Sequence, residues 1–125
     1  MKTRIIGVVS AAAPAYARSL ALGRPVSHDV STRIADGMAC RTPVAEALDA
    51  IRAGVERIVE VTDEEVEEAM RALFTDTHNA VEGAGAAALA ALLQERDRLS
   101  GQTAGIVITG GNIDPQPFAR ILASR

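Results

Sequence analysis

The chain's pattern opens with five apolar positions in succession, Ile5-Ile6-Gly7-Val8-Val9. Such a run, without alternation, predicts a strand covered on both faces, as in a parallel sheet flanked by helices. An alanine-rich stretch follows over residues 11–22, with Pro14 in its first turn and Gly23 at its end, and it predicts a helix. Periodicity then disappears. Residues 24 to about 41 hold Pro25, Ser27, His28, Asp29, Ser31, Thr32 and the turn dipeptide Asp36-Gly37. A loop of that length in a compact domain is expected to be either functional or disordered.

Thr42-Pro43 predicts the next helix start, with Thr42 as cap, Pro43 at the first helical position and Glu46 in the first turn. Val44, Leu48 and Ile51 share one face of it, and Gly54 lies just past its end. Arg57-Ile58-Val59-Glu60-Val61 predicts a short strand. Thr62-Asp63-Glu64-Glu65 reads as a capping box opening a helix that runs to about His78, with Val66, Met70, Leu73 and Phe74 on its apolar stripe. A solvated helix start accounts for the whole acidic run. Glu82-Gly83-Ala84-Gly85 interrupts the pattern, and residues 86–99 resume it as a strongly apolar helix stopped by Ser100-Gly101. Ala104-Gly105-Ile106-Val107-Ile108 predicts a last buried strand feeding Thr109-Gly110-Gly111-Asn112. Asp114-Pro115 then starts a final helix through Phe118, Ile121 and Leu122. The fold class is α/β, a partial parallel sheet with flanking helices and right-handed crossovers. Three strands are few for runs so apolar, which hints that the sheet is missing neighbours.

Composition sharpens this picture in a few places. The 125 residues are the length of one compact segment, and the 48% apolar content is ample for a core. Aromatics supply only 2%, so that core is built from Ala, Val, Ile and Leu. The net charge is −3, with 13 basic and 16 acidic residues interspersed. There is no basic stripe and almost no stacking platform, which argues against nucleic-acid binding. No apolar run reaches the length of about 20 residues that a membrane span needs, and the N-terminus lacks the cleavage pattern of a signal peptide. Cys40 is the one cysteine, which excludes an intrachain disulfide and fits a reducing, cytoplasmic compartment. Of the 13 basic residues only Lys2 is a lysine.

Candidate chemistry gathers at two motifs. In open parallel sheets ligands sit at the carboxyl ends of strands, where Thr109-Gly110-Gly111-Asn112 falls. A glycine pair there lets backbone approach a ligand, and it equally suits a tight turn with none. Glu82-Gly83-Ala84-Gly85 sets a carboxylate at a helix start, which also reads as a simple capping arrangement. Asp36-Gly37 is a turn dipeptide by default. His28 and His78 have no ligand-spaced partners, so no metal site is expected, and Cys40 reads as a small buried apolar residue rather than a nucleophile.

Taken together, residues 34–39, 57–65, 82–92 and 106–114 resemble, in order and spacing, the C-terminal part of the threonine/serine dehydratases. These are pyridoxal-phosphate enzymes of the tryptophan-synthase β fold, fold type II. Thr3-Arg4-Ile5-Ile6-Gly7-Val8 is similar to the strand that follows the family's phosphate-cradling loop and its helix. The resemblance covers essentially the whole chain, 1–125, but less than half of a family enzyme. It implies that Thr109 occupies the place of the hydroxyl residue, usually serine, that hydrogen-bonds the cofactor's pyridine nitrogen. Gly110, Gly111 and Asn112 would shape that end of the pocket, Glu82 would lie near the ring, and the backbone of Gly37 would line the same space. The complete enzyme removes the α-proton of threonine or serine, expels the hydroxyl and releases ammonia and a 2-oxo acid.

The departures matter as much. Where many relatives carry a glutamate that helps hold a divalent cation, this chain has Val9-Ser10, so that metal site is not expected. The family's Schiff-base lysine, its ring-contacting asparagine and its phosphate-binding loop precede the matched segment. Lys2 stands before the first strand, at the wrong end for a pocket at strand carboxyl ends, and no residue here is expected to be catalytic. The resemblance thus implies a fragment that is inactive alone. Its partner would be an N-terminal half of the same enzyme, docked on the unpaired sheet edge, with a homo-oligomer when complete. Two other readings stay open: a small-molecule or anion-binding regulatory module using Thr109-Gly110-Gly111-Asn112, and a structural remnant without activity.

Overall fold

The computed structural model describes residues 3–124, so Lys2 lies outside the described residues. Strand β1 (Ile6–Ser10) pairs in parallel with β2 (Arg57–Val61), Ile6 opposite Arg57 and Ser10 opposite Val61. Helix α1 (Ala15–Leu22) and helix α2 (Ala45–Gly54) form the crossover between them. Helices α3 (Asp63–Thr77) and α4 (Gly83–Gln94) pack on each other, α4 also against both strands, and α5 (Pro115–Ala123) lies against α3. Among the described residues this is a two-stranded parallel sheet with helices about it, as the α/β pattern predicts.

The core lies between the sheet, α3 and α4. Val59 and Val61 meet Val66, Ala69, Met70 and Leu73 of α3, and Ala86, Ala87, Ala90 and Ala91 of α4. Alanine dominates because the α3–α4 seam leaves little room, while the valines, Met70 and Leu73 supply most of the apolar area. Phe74, at the rim of its stripe, turns to Phe118 edge-to-face at 5.4 Å, which attaches α5. Both halves of the capping box form: Thr62 Oγ1 accepts from the Glu65 N–H, and the Glu65 carboxylate accepts from the Thr62 N–H. α3 ends at His78 in the left-handed conformation (φ 58°).

Several boundaries differ from the sequence expectations. α1 starts at Ala15 rather than residue 11, because Pro14 disfavours helical geometry at Ala13, and residues 11–13 turn instead with Ala13 N–H on the Ser10 carbonyl. Thr42 does not cap α2. Its hydroxyl pairs with Ser27 at 3.0 Å, and the helix begins at Ala45 after an uncapped Val44. α4 begins at Gly83, three residues early, so its glycines lie inside the first turn.

The largest difference is at residues 104–108, where the expected third strand is unpaired. No backbone hydrogen bond reaches them among the described residues, and Val107 and Ile108 are 73% and 44% exposed. β1, expected to be covered on both faces, is only partly buried as far as Val9.

The long loop is ordered and pinned. Asp63, at the first position of α3 and with a side chain 10% exposed, accepts from the Thr32 hydroxyl (2.6 Å) and the Arg33 N–H (2.8 Å). Thr32 in turn accepts from the Ala35 N–H at 3.1 Å, and a single 3₁₀ turn, Asp36–Met38, follows. Asp63→Ala removes a charged acceptor from two donors, so it is expected to cost about 2 kcal/mol. The accompanying sign is faster amide exchange at Arg33 and Ala35; unchanged exchange there would show that the loop is held by other contacts.

Candidate functional site

The two glycine motifs meet although they lie almost thirty residues apart. Glu82 is the residue before α4, yet its carboxylate caps no amide of its own helix. It reaches across to the turn after residue 108, where Oε2 accepts from the Asn112 N–H at 3.0 Å. Its own N–H donates to the Gly110 carbonyl at 3.2 Å, so one residue holds the turn by backbone and side chain together. The capping reading of Glu82 is therefore replaced by a tertiary one.

The glycines are what allow this approach. A Cβ on Gly110 would lie 2.5 Å from Glu82 Oε1, and one on Gly111 would lie 2.7 Å from the Ala80 carbonyl oxygen. A Cβ on Gly85 would lie 2.6 Å from the Gly110 carbonyl oxygen, and one on Gly83 only 2.1 Å from that of Ile34. Distances this short exclude any side chain unless backbone moves. All these glycines are required by close approach rather than by unusual φ.

The pinned loop brings in the third piece. Gly37 sits over α4's first turn, its Cβ position 3.0 Å from the Ala84 methyl and 4.0 Å from Glu82 Oε1. Thus Gly37, Glu82, Gly110, Gly111 and Asn112 are gathered at one place. Thr109 adjoins them in the chain; it is exposed, and its hydroxyl has no hydrogen-bond partner among the described residues. Cys40 and His28 are occupied locally: the thiol faces the Thr42 carbonyl (3.4 Å), and His28 Nδ1 faces the Asp29 carbonyl (2.7 Å). Sequence reasoning did not find Ile34 and Ala80, whose carbonyls form the walls against Gly83 and Gly111. Both are ordinary residues acting through backbone, so no side-chain signal exists.

The available groups suit one part of a cofactor rather than all of it. A free hydroxyl, a carboxylate and a glycine-lined turn can face a heteroaromatic ring, and Thr109 has the donor and acceptor a ring nitrogen needs. Neither a lysine amine nor a phosphate cradle stands beside them among the described residues.

The chain is similar to known proteins along nearly all of its own length. The chain is 46% identical over 120 residues to the L-threonine ammonia-lyase of Geobacter sulfurreducens, covering 95% of this chain and 30% of that protein. It is 36% identical to the phenylserine dehydratase of Ralstonia pickettii, covering 95% and 37% respectively. Among solved structures, the T.th. threonine deaminase superposes with a TM-score of 0.83 at 38% identity, over 90% of this chain and 40% of that one. Maize serine racemase gives 0.82 at 27% identity, over 94% and 38%. The chain therefore spans between about 30% and 40% of the length of these relatives. The family model for pyridoxal-phosphate-dependent enzymes matches residues 1–110, which take in β1, the pinned loop, Glu82 and Thr109-Gly110, and the chain belongs to that family.

Proposed function

We propose that this chain is the C-terminal portion of a threonine/serine dehydratase-type ammonia-lyase and supplies the pyridine-nitrogen side of its cofactor pocket. The observation that carries the reading is the Glu82 carboxylate fixing the Gly110-Gly111-Asn112 turn beside a Thr109 hydroxyl that has no hydrogen-bond partner among the described residues. Bound there, pyridoxal phosphate supplies an electron sink for the pair released when the substrate's α-proton leaves. Thr109 donates or accepts a hydrogen bond at the ring nitrogen without holding it protonated, as an aspartate would, and this favours β-elimination over transamination. Gly110, Gly111 and Asn112 shape that end of the pocket, Gly37 lines it with backbone, and Glu82 keeps the turn in place. No residue of the chain is assigned the proton transfer itself. The lysine that bonds the cofactor, the phosphate loop and the substrate-carboxylate loop belong to the remaining portion of the enzyme, which acts in the cytoplasm as a homo-oligomer.

The test is complementation. The purified chain is mixed with the lysine-bearing N-terminal portion of the Geobacter sulfurreducens enzyme, pyridoxal phosphate and L-threonine, and 2-oxo acid is measured. Neither part alone should turn over substrate, and the mixture should. Thr109→Ala should lower the mixture's rate by about tenfold or more, the loss of about 1.4 kcal/mol or more of transition-state stabilisation, whereas Thr109→Ser should retain it. A fully active Thr109→Ala mixture would remove the ring-nitrogen role. Turnover by the isolated chain, with a borohydride-trapped adduct at Lys2, would overturn the division of labour.

A further inference from the structure

The acidic first turn of α3 is more than a solvated helix start. Glu65 is taken up by the Thr62 cap and by Gln94, whose Nε2 donates to it at 3.0 Å. Glu64 is 76% exposed and faces the exposed Arg33 guanidinium at 3.7 Å. Asp63 differs from both. Its side chain is 10% exposed, and each carboxylate oxygen takes one donor from the long loop, Oδ1 the Thr32 hydroxyl and Oδ2 the Arg33 N–H. Beyond that pair the loop's hydrogen bonds close on themselves. Ala35 N–H donates to Thr32 Oγ1, Met38 N–H to the Ala35 carbonyl, Ala39 N–H to the Asp36 carbonyl, and Gly37 N–H to Asp36 Oδ1. Among the described residues, no hydrogen bond ties residues 34–40 to a strand or to any of the α-helices.

Asp63 is thus the polar tie that sets where the 3₁₀ turn meets α4. The path from it is short. Thr32 leads to Ala35, which is fully buried, and then to Gly37, whose Cβ position lies 3.0 Å from the Ala84 methyl and 4.0 Å from Glu82 Oε1. Ile34 and Met38 pack on the core, but apolar contact is non-directional, whereas a charged acceptor holding two donors fixes direction as well as distance. We propose that Asp63 is a positioning residue for the cofactor site. Acting through Thr32 and Arg33, it holds the Gly37 backbone over the first turn of α4 and so sets the pocket's width on that side. The inference rests on the reading of Gly37, Glu82 and the Gly110 turn as part of a cofactor pocket. It adds a residue that is assigned no contact with cofactor or substrate. Asp63→Asn can keep both links, its Oδ1 accepting from Arg33 and its Nδ2 donating to the Thr32 hydroxyl.

The experiment uses the full chain, alone and mixed with the N-terminal portion of the Geobacter sulfurreducens enzyme. In the chain alone, without cofactor, Asp63→Ala should speed amide exchange about tenfold at Met38 and Ala39, within the 3₁₀ turn itself. In the mixture, the dissociation constant for pyridoxal phosphate, read by fluorescence, should rise about tenfold. At saturating cofactor, kcat for L-threonine should stay within about twofold, because what is lost is binding rather than chemistry. Thr32→Val breaks the same tie without altering α3 and should give the same changes; if Asp63→Ala fails to fold, it decides by the same readings. Asp63→Asn should restore most of the affinity. Glu64→Ala removes the same charge from the same helix end and should change neither exchange in the turn nor affinity. Faster exchange confined to Arg33 and Ala35, a loss confined to kcat, or a Glu64→Ala mixture as impaired as Asp63→Ala overturns the proposal. So does a loosened turn with unchanged cofactor affinity, which leaves the functional reading standing. A wild-type mixture that binds no pyridoxal phosphate sinks that reading and this proposal together.

Discussion

Gly83→Ala is expected to cost the chain about 4 kcal/mol of stability, beyond the roughly 1–3 kcal/mol of ordinary overpacking. The added methyl would lie 2.1 Å from the Ile34 carbonyl oxygen and 2.7 Å from its carbon, and both are backbone. Side-chain rotation cannot relieve such a contact. Either α4 shifts along α3, where Ala86, Ala87 and Ala90 are buried, or the loop through Ile34 retreats. The loop is tethered by Asp63 through Thr32 and Arg33, and Ala35 beside Ile34 is fully buried, so retreat would break those bonds as well. With roughly 4 °C lost per kcal/mol in a chain of this size, the melting temperature should fall by about 16 °C. Gly54→Ala is the control. No atom lies within 4 Å of a Cβ there and the residue is helical, so that change should raise stability by about 0.5–1 kcal/mol. Denaturant melts of the two variants give the comparison. Equal, small effects would mean that the Ile34 carbonyl yields freely and that the close approach is not a constraint.

That contrast also marks what could be read without the structure. The capping box at Thr62 and Glu65 was legible because its chemistry is contained in four consecutive residues. The helices were legible from periodicity, and β1 from its apolar run, since local pattern decides them. The first turn of α4 was not: glycines lower helix propensity, and only the backbone of Ile34 and Gly110 explains why they are there. Thr42 looked like a cap by type and position, but a nearby serine hydroxyl competed for it. Residues 104–108 are the instructive case. Their sequence encodes a buried strand, and whether a strand forms depends on a partner backbone, which sequence alone does not supply. At the site, Gly37, Glu82, Gly110, Gly111 and Asn112 were legible as a set through the family resemblance. Their assembly was not, because it runs through a carboxylate and two carbonyls from distant segments.

Gly110→Ala is the second large effect, and its expected signature is coupling to Glu82. The new methyl would lie 2.5 Å from Glu82 Oε1 and 2.7 Å from Cδ. Unlike a backbone oxygen, that carboxylate can swing away, and in doing so it gives up the Asn112 N–H. The turn itself has little freedom to move instead. Its Gly110 carbonyl accepts from the Glu82 N–H, and Gly85 already stands close beneath it. Stability should therefore drop by about 1.5–3 kcal/mol, the worth of a hydrogen bond to a charged group. In a Glu82→Ala background both the clash and the bond are gone, and Gly110→Ala should then cost under about 0.5 kcal/mol. A double-mutant cycle from denaturant melts measures the difference, with the two residues in one contact and additivity expected to fail. In the complemented enzyme the same substitution should lower turnover by about 100-fold, since a turn that has lost the Glu82–Asn112 bond no longer fixes Thr109 and misplacement by about 1 Å costs that much. Additive stability effects would show that Glu82 and Gly110 do not constrain each other. Full turnover with a broken Glu82–Asn112 bond would show that the turn needs no such hold, and the carboxylate would then have to act on the cofactor or substrate directly.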